Sequence, residues 1–260
     1  MTDKLKVIFL GDVVGRPGRD IIRENIDYLK DRYNYDFLVI NGENSAGGAG
    51  IVPKTADDLF SIGADVITLG DHCFDEESIF PYFADHYNLI RPDNIKNKNI
   101  GKGWAILDFL DFKIAVVNLI GRVFISGDFD CPFERADELL EKQLKDIKII
   151  IVDFHSEATS EKVALSKYLS GRVSLVLGTH THIPTADERI EKNFTGCISD
   201  VGMCGSYANV IGMDYETALA RFKGEKKSYK LGKGDEHLAG IFAVLDKNTG
   251  RCEKIERIWK

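Results

Sequence analysis

Short apolar runs alternate with amphipathic stretches along most of the chain. Residues 6–10 form an apolar strand, and residues 17–33 repeat at a helical period with a proline near the first turn. The same alternation predicts strands over 37–40 and 65–69, with helices over 53–61 and near 76–85. Residues 104–109 and 112–119 read as a hairpin turned at Leu110-Asp111. Further on, helices over 134–145 and 160–169 alternate with buried strands over 147–152 and 173–177. From Ala186 the pieces become shorter and β-like, ending in strands over 240–246 and 252–258.

Early β-α alternation followed by hairpins predicts an α/β fold whose layers contain mixed sheets. In such sheets ligands gather outside the carboxyl ends of the strands. No internal repeat, low-complexity segment or Pro/Ser-rich linker divides the chain, so residues 1–260 are expected to form one domain of a size that a single layered core can support.

Composition narrows the function classes. The net charge of −7 argues against stable binding of duplex nucleic acid, which wants a basic surface, but leaves a small phosphate substrate open. No apolar stretch reaches the ~18 residues needed to span a bilayer, and the run after Met1-Thr2-Asp3-Lys4 is too short for a signal peptide. A cytoplasmic protein without a membrane partner is expected. The five cysteines (Cys73, Cys131, Cys197, Cys204, Cys252) are scattered and never spaced C-x-x-C, which speaks against a disulfide framework or a zinc-thiolate knuckle.

The chemistry sits at the strand ends. After residues 173–177 come Thr179-His180-Thr181-His182, two imidazoles that make poor core material and good metal ligands. The first strand ends in Gly11-Asp12, the second in Asn41-Gly42-Glu43-Asn44, the third in Gly70-Asp71-His72, and residues 147–152 run into Asp153-Phe154-His155. Singly, Asp12 reads as a helix cap, Glu43-Asn44 as a polar turn and His155 as a satisfied strand-end histidine. Jointly, Asp12, Glu43, Asn44, Asp71, His155, His180 and His182 offer more donors than one tetrahedral zinc needs. They suit two adjacent first-row transition-metal ions, and mixed carboxylate and imidazole donors without thiolate favour iron, manganese or zinc. Together they point to a metal-dependent phosphoesterase.

These segments, with Asp153-Phe154-His155-Ser156-Glu157-Ala158-Thr159-Ser160-Glu161-Lys162 and the later Asp200-Val201-Gly202-Met203, closely resemble the YmdB-like bacterial metallophosphoesterases nearly from end to end. The resemblance implies a calcineurin-like four-layer α/β/β/α sandwich, a di-metal and typically di-iron centre, and phosphodiesterase activity on 2′,3′-cyclic nucleotides. It puts Asp12, Glu43, Asn44 and His182 on one metal, with Glu43 bridging to a second held by Asp71, His155 and His180. It makes His72 the acid that protonates the leaving oxygen after attack by a water that the two ions activate. The sequence departs from the wider pattern at Val14, where most metallophosphoesterases have histidine and where Asn44 fills the vacancy. It departs from the subfamily at Asp71, where asparagine is expected.

The same ligands would serve a phosphomonoesterase or another di-metal phosphohydrolase, and a regulatory phosphate-ligand-binding protein with residual activity is a third reading. The sequence leaves self-association open. Gly15 and Gly18 fit neither a dinucleotide fingerprint nor a P-loop, and read as a tight turn into the helix. Arg122 reads as a phosphate clamp or a surface ion pair. The lysine-rich stretch 221–233 around Tyr229 reads as a solvated loop, with contact to an RNA or nucleotide substrate as the alternative.

Overall fold

A computed structural model describes residues 3–96 and 99–260; Met1 and Thr2, which belong to the N-terminal reading above, lie outside the described residues. The chain opens with β1 (Lys4–Leu10), β2 (Asp12–Val13), α1 (Gly15–Tyr33), β3 (Phe37–Asn41), α2 (Pro53–Ile62), β4 (Val66–Thr68) and α3 (Tyr82–Asp85). It continues with β5 (Trp104–Phe109), β6 (Phe112–Ile120), α4 (Pro132–Lys142), β7 (Ile149–His155), α5 (Thr159–Leu169) and β8 (Leu175–Thr179). It ends with β9 (Arg189–Glu191), β10 (Thr195–Ile198), β11 (Met203–Ser206), α6 (Tyr215–Phe222), β12 (Glu236–His237), β13 (Ala239–Asp246) and β14 (Cys252–Trp259).

One sheet has the order β14-β13-β1-β3-β4, a second β5-β6-β7-β8-β10-β9, and a small third β12-β11-β2. Both large sheets are mixed. β1, β3 and β4 run parallel, β13 runs antiparallel to β1 and β14 antiparallel to β13; β6, β7, β8 and β10 run parallel between antiparallel edges β5 and β9.

The period-two alternation of strand side chains builds the layers. Leu5, Val7 and Phe9 of β1 pack with Ile149 and Ile151 of β7 and Leu175 and Leu177 of β8, between the two large sheets. The intervening Ile8 and Leu10 turn the other way, onto Ile22 and Leu29 of α1 and Leu59 of α2. On the far side Ile150, Val152 and Phe154 of β7 meet Leu139 of α4 and Leu165 and Leu169 of α5. The result is the four-layer α/β/β/α sandwich. Each such fully buried side chain stabilises the fold by roughly 1.5–3 kcal/mol.

Several boundaries differ from the sequence reading. The segment expected as one helix over 76–85 splits into a tight turn at Glu77–Ile79 and the short α3. Pro81 lies between them, and inside a continuous helix its ring would clash with the carbonyl of Glu77. α6 interrupts the C-terminal stretch expected to be β-like; Asp214 caps it by accepting from the Thr217 amide at 3.2 Å. α1 starts at Gly15, whose φ of +58° turns the chain sharply out of β2. β7 and β8 run past their expected ends, and their register pairs His155 with Thr179. No helix among the described residues is long and apolar enough to cross a membrane.

Candidate metal centre

The carboxyl ends of β3 and β4 in one large sheet meet those of β7 and β8 in the other. Asp153, fully buried, joins them: it accepts from Asn41 Nδ2 at 2.9 Å, Thr68 Oγ1 at 2.5 Å and Thr179 Oγ1 at 2.7 Å. Burial raises its carboxyl to about 7 against the pull of His155 and of the Thr68 and Thr179 hydroxyls. Thr179 spends its only proton on Asp153, so at 2.9 Å it must accept from His155 Nδ1. That fixes the tautomer of a neutral His155 and turns the Nε2 lone pair toward the cluster.

What faces that lone pair is negative or electron-rich. Glu43 Oε2 lies 2.6 Å from His155 Nε2, His180 Nδ1 2.9 Å and Asp71 Oδ1 3.1 Å. Asp71 Oδ1 is also 3.4 Å from His180 Nδ1. One ring nitrogen cannot hydrogen-bond three partners. Donor atoms bound at about 2.0–2.1 Å to one ion, however, lie about 3 Å apart at neighbouring positions, which is the spacing seen here. Glu43 Oε2 and Asp12 Oδ1 are buried without any hydrogen-bond partner, although both residues are at most 1% exposed. Buried carboxylates need a paired cation or a metal. The field asks for the same: burial opposes a charged His155, yet Glu43, Asp71 and Asp12 raise its pKa well above the ordinary value. Burial likewise opposes ionisation of Asp71, and the imidazoles of His155 and His180 overcome it to hold the carboxyl far below its usual range.

A second group of donors lies alongside. Asp12 and Glu43 have ligand atoms within 4.8 Å of each other and of His155. Asn44 and His182 form a pair, with His182 Nε2 3.2 Å from Asn44 Oδ1. Asn44 Nδ2 donates to Gly48 O, and His182 Nδ1 donates to Ile211 O at 3.0 Å. With His182 neutral, the facing atoms are therefore two acceptors, an arrangement a cation between them resolves. The donor chemistry fits divalent metal ions. Gly70 leaves room for it, because a Cβ there would stand 1.8 Å from Glu43 Oε2 and 2.3 Å from His155 Nε2.

The structure thus gathers Asp71, His155 and His180 with Glu43, brings Asp12 beside Glu43, and joins Asn44 to His182. His72 stands at the rim with a half-exposed side chain: Nδ1 is 2.7 Å from Asp75 Oδ2, and Nε2 is 3.7 Å from Asp71 Oδ2. Burial disfavours its charged form, but Glu43, Asp71 and the hydrogen-bonded Asp75 outweigh burial and raise its pKa. Its amide donates to Glu43 Oε1 at 3.0 Å, which holds the loop to the cluster.

Sequence reasoning missed the groups that hold these side chains. His180 and His182 have φ of +95° and +66°, a region costing L-residues roughly 1–3 kcal/mol each. Thr181 between them donates to Asp200 Oδ2 through its amide at 3.1 Å and its hydroxyl at 2.7 Å. Asp200 is paired in turn with buried Lys162 at 2.6 Å. The His180 amide donates to Asp12 Oδ2 at 3.2 Å, and Glu157 Oε2 lies 3.1 Å from His180 Nε2. The outlying segments of the family resemblance, Asp153 to Lys162 and Asp200, are these supports. Arg122 contributes through its backbone, whose amide donates to Glu161 Oε1 at 2.9 Å.

Residues 8–258 match the model of the YmdB-like protein family. The chain belongs to the YmdB-like family. A Bacillus subtilis relative named 2′,3′-cyclic-nucleotide 2′-phosphodiesterase is 44% identical over 98% of this chain and 96% of its own length. A solved structure described as a novel phosphatase of Mycoplasma pneumoniae superposes with a TM-score of 0.94 at 36% identity, covering 100% of this chain and 94% of that one. A hypothetical protein of Thermus thermophilus gives 0.92 at 35% identity, covering 98% and 99%. In this YmdB-like chain Asp71 turns Oδ1 toward the two imidazoles and only Oδ2 toward His72, so its carboxylate faces the cluster.

Proposed function

We propose that the protein is a di-metal phosphodiesterase that opens 2′,3′-cyclic nucleotides, with iron as the favoured metal. The observation carrying this reading is the convergence of buried, unpartnered carboxylate oxygens of Asp12 and Glu43 with the lone pair of His155. Asp12, Glu43, Asn44 and His182 would hold one ion, and Glu43, Asp71, His155 and His180 the other. Two such ions would supply an activated water at neutral pH and would neutralise charge on the phosphoryl group.

The remaining work falls to side chains. Asp153 and Thr179 hold the His155 proton on Nδ1 and keep Nε2 available. His72, held through Nδ1 by Asp75, carries a proton on Nε2 and delivers it to the departing ribose oxygen. Water adds to phosphorus and loses a proton to solvent, the bond to the 2′ oxygen breaks, and that oxygen takes the His72 proton, leaving a 3′-phosphate and a His72 that solvent reprotonates. Asp71, His72 and His180 form the more open rim, so the substrate approaches from their side while Asp12, Glu43 and His155 form a buried floor.

The test is elemental analysis of purified protein combined with turnover of 2′,3′-cyclic, 3′,5′-cyclic and monoester nucleotides. Two metals per chain and a preference for the 2′,3′-cyclic substrate are expected. A preference for monoesters would favour a phosphomonoesterase, and tight phosphate binding without turnover a regulatory protein.

A further inference from the structure

The basic segment at the end of α6 and just beyond it is tied through Tyr229, Leu231 and Gly232 to the loops that carry candidate metal ligands. Residues 221–233 contain Arg221, Lys223, Lys226, Lys227, Lys230 and Lys233 against the single acid Glu225, in a chain whose net charge is −7. Every residue from Arg221 to Lys230 is exposed. Lys230 pairs with Asp214 at 3.3 Å, whereas Lys223, Lys226, Lys227 and Lys233 have no acidic partner among the described residues. Arg221, Lys226, Lys227 and Ser228 line an open, shallow groove with Gly224 and Glu225. Aromatic faces accompany the charge: Phe222 is 82% exposed, and Tyr215 and Tyr229 are also exposed.

The base of this arm is tied to the ligand loops. Tyr229 packs its ring on Gly48, in the loop whose Gly48 carbonyl accepts from Asn44. Leu231 packs on Gly15 and bridges to Met213, and the Gly232 amide donates to Gly212 O at 2.8 Å. Next to Gly212 is Ile211, whose carbonyl accepts from His182 Nδ1. A purely solvated loop has no need of this anchoring. Exposed cations beside exposed aromatic rings, on a segment anchored next to the candidate ligand loops, are the chemistry that tracks single-stranded nucleic acid.

Resting on the proposed activity, we propose that this arm binds backbone phosphates and bases of single-stranded RNA upstream of a 3′-terminal 2′,3′-cyclic phosphate. The favoured substrate class is then an oligoribonucleotide end, and a free cyclic mononucleotide is the lesser substrate. The step is the one already given: water adds to phosphorus, the bond to the 2′ oxygen breaks, and the RNA leaves with a 3′-phosphate. The overall charge of −7 is consistent with this, because the segment is strongly basic in a chain that is acidic as a whole.

The test compares an RNA of about eight nucleotides, within the usual range of single-strand site sizes, ending in a 2′,3′-cyclic phosphate, with 2′,3′-cyclic AMP. Both are assayed with the metal-loaded wild type and with the triple variant Lys223→Ala, Lys226→Ala, Lys227→Ala, matched for metal content. The RNA should be preferred in kcat/KM by about tenfold or more, as expected of a few phosphate contacts. At about −0.7 in log–log slope per contact, three contacts make its binding about 20-fold weaker when salt rises fourfold. The triple variant should lower the RNA-to-mononucleotide ratio toward one and flatten the salt slope, read independently by fluorescence anisotropy of 5′-labelled RNA. Turnover of the mononucleotide with no preference for RNA, or a preference and salt slope that survive the triple substitution, overturns the arm alone. Failure to turn over either substrate overturns the proposed activity and this substrate class with it.

Discussion

At the scale of single residues, Asp71 and His72 are adjacent in the chain, and the proposed function gives metal binding to the first and proton transfer to the second. Asp71 presents a carboxylate where the subfamily resemblance implies an amide, and a carboxylate at about 2 Å from a divalent ion holds it more tightly. Asp71→Asn is therefore expected to release the second metal more readily, seen as faster loss to a chelator; unchanged chelator resistance would place Asp71 outside the ligand set. His72→Ala should keep both metals and lose roughly 10²–10⁴-fold in turnover, the usual scale of general acid catalysis. The loss should shrink on an aryl phosphodiester, whose leaving group needs little protonation, whereas equal losses on both substrates would assign His72 a structural role. Both residues were legible because a Gly-Asp-His step at a strand end is a local signal. Thr179 and Asp153 were not legible as the groups that fix His155, because their partnership depends on the register pairing His155 with Thr179 across two strands. Glu157 was equally silent: only the fold brings it 3.1 Å from His180.

At the scale of elements, strands of uniform apolar character were readable, and so was the hairpin at Leu110-Asp111, where Leu110 takes φ +54°. α6 was missed because it is short and lies among strands, although Asp214 followed by Tyr-Glu-Thr-Ala-Leu-Ala-Arg-Phe carries a helix cap and good helix formers. The strand ends matter most where the sheets touch. Asp153 of β7 collects donors from β3 and β4 of one sheet and β8 of its own, so one carboxylate pins the two sheets at the ligand edge. Asp153→Ala strands three buried donors, each worth roughly 1–3 kcal/mol when left unsatisfied. Urea unfolding should show a loss of roughly 3 kcal/mol or more, the range of a broken buried network. Asp153→Asn keeps an acceptor and should lose less. A loss below about 1 kcal/mol for the alanine variant would mean that water replaces the carboxylate and that the pin carries little.

At the scale of the whole molecule, the proposed ligand set divides between the halves of the sandwich. Asp12, Glu43, Asn44 and Asp71 follow β1, β3 and β4 of one sheet, whereas His155, His180 and His182 come from β7 and the loop after β8 of the other. Ions shared between them would cross-link the two sheets at the edge where Asp153 already joins them. They would also relieve repulsion among carboxylates buried without partners. Binding to the folded chain alone stabilises it by RT ln(1 + [L]/Kd), about 2.7 kcal/mol for each site at a hundredfold excess over Kd. Stripping the protein with a chelator should therefore lower its melting temperature, and adding back manganese or iron should restore it with a dependence on metal concentration. Because the layers share one stack of cores, the melt should remain a single cooperative transition in both forms, as expected of one domain spanning residues 1–260. Equal melting temperatures with and without chelator would remove the metal from the stability of the fold. Two separated transitions, only one of them shifted by metal, would instead divide the sandwich into independently folding halves and confine the ligands to one.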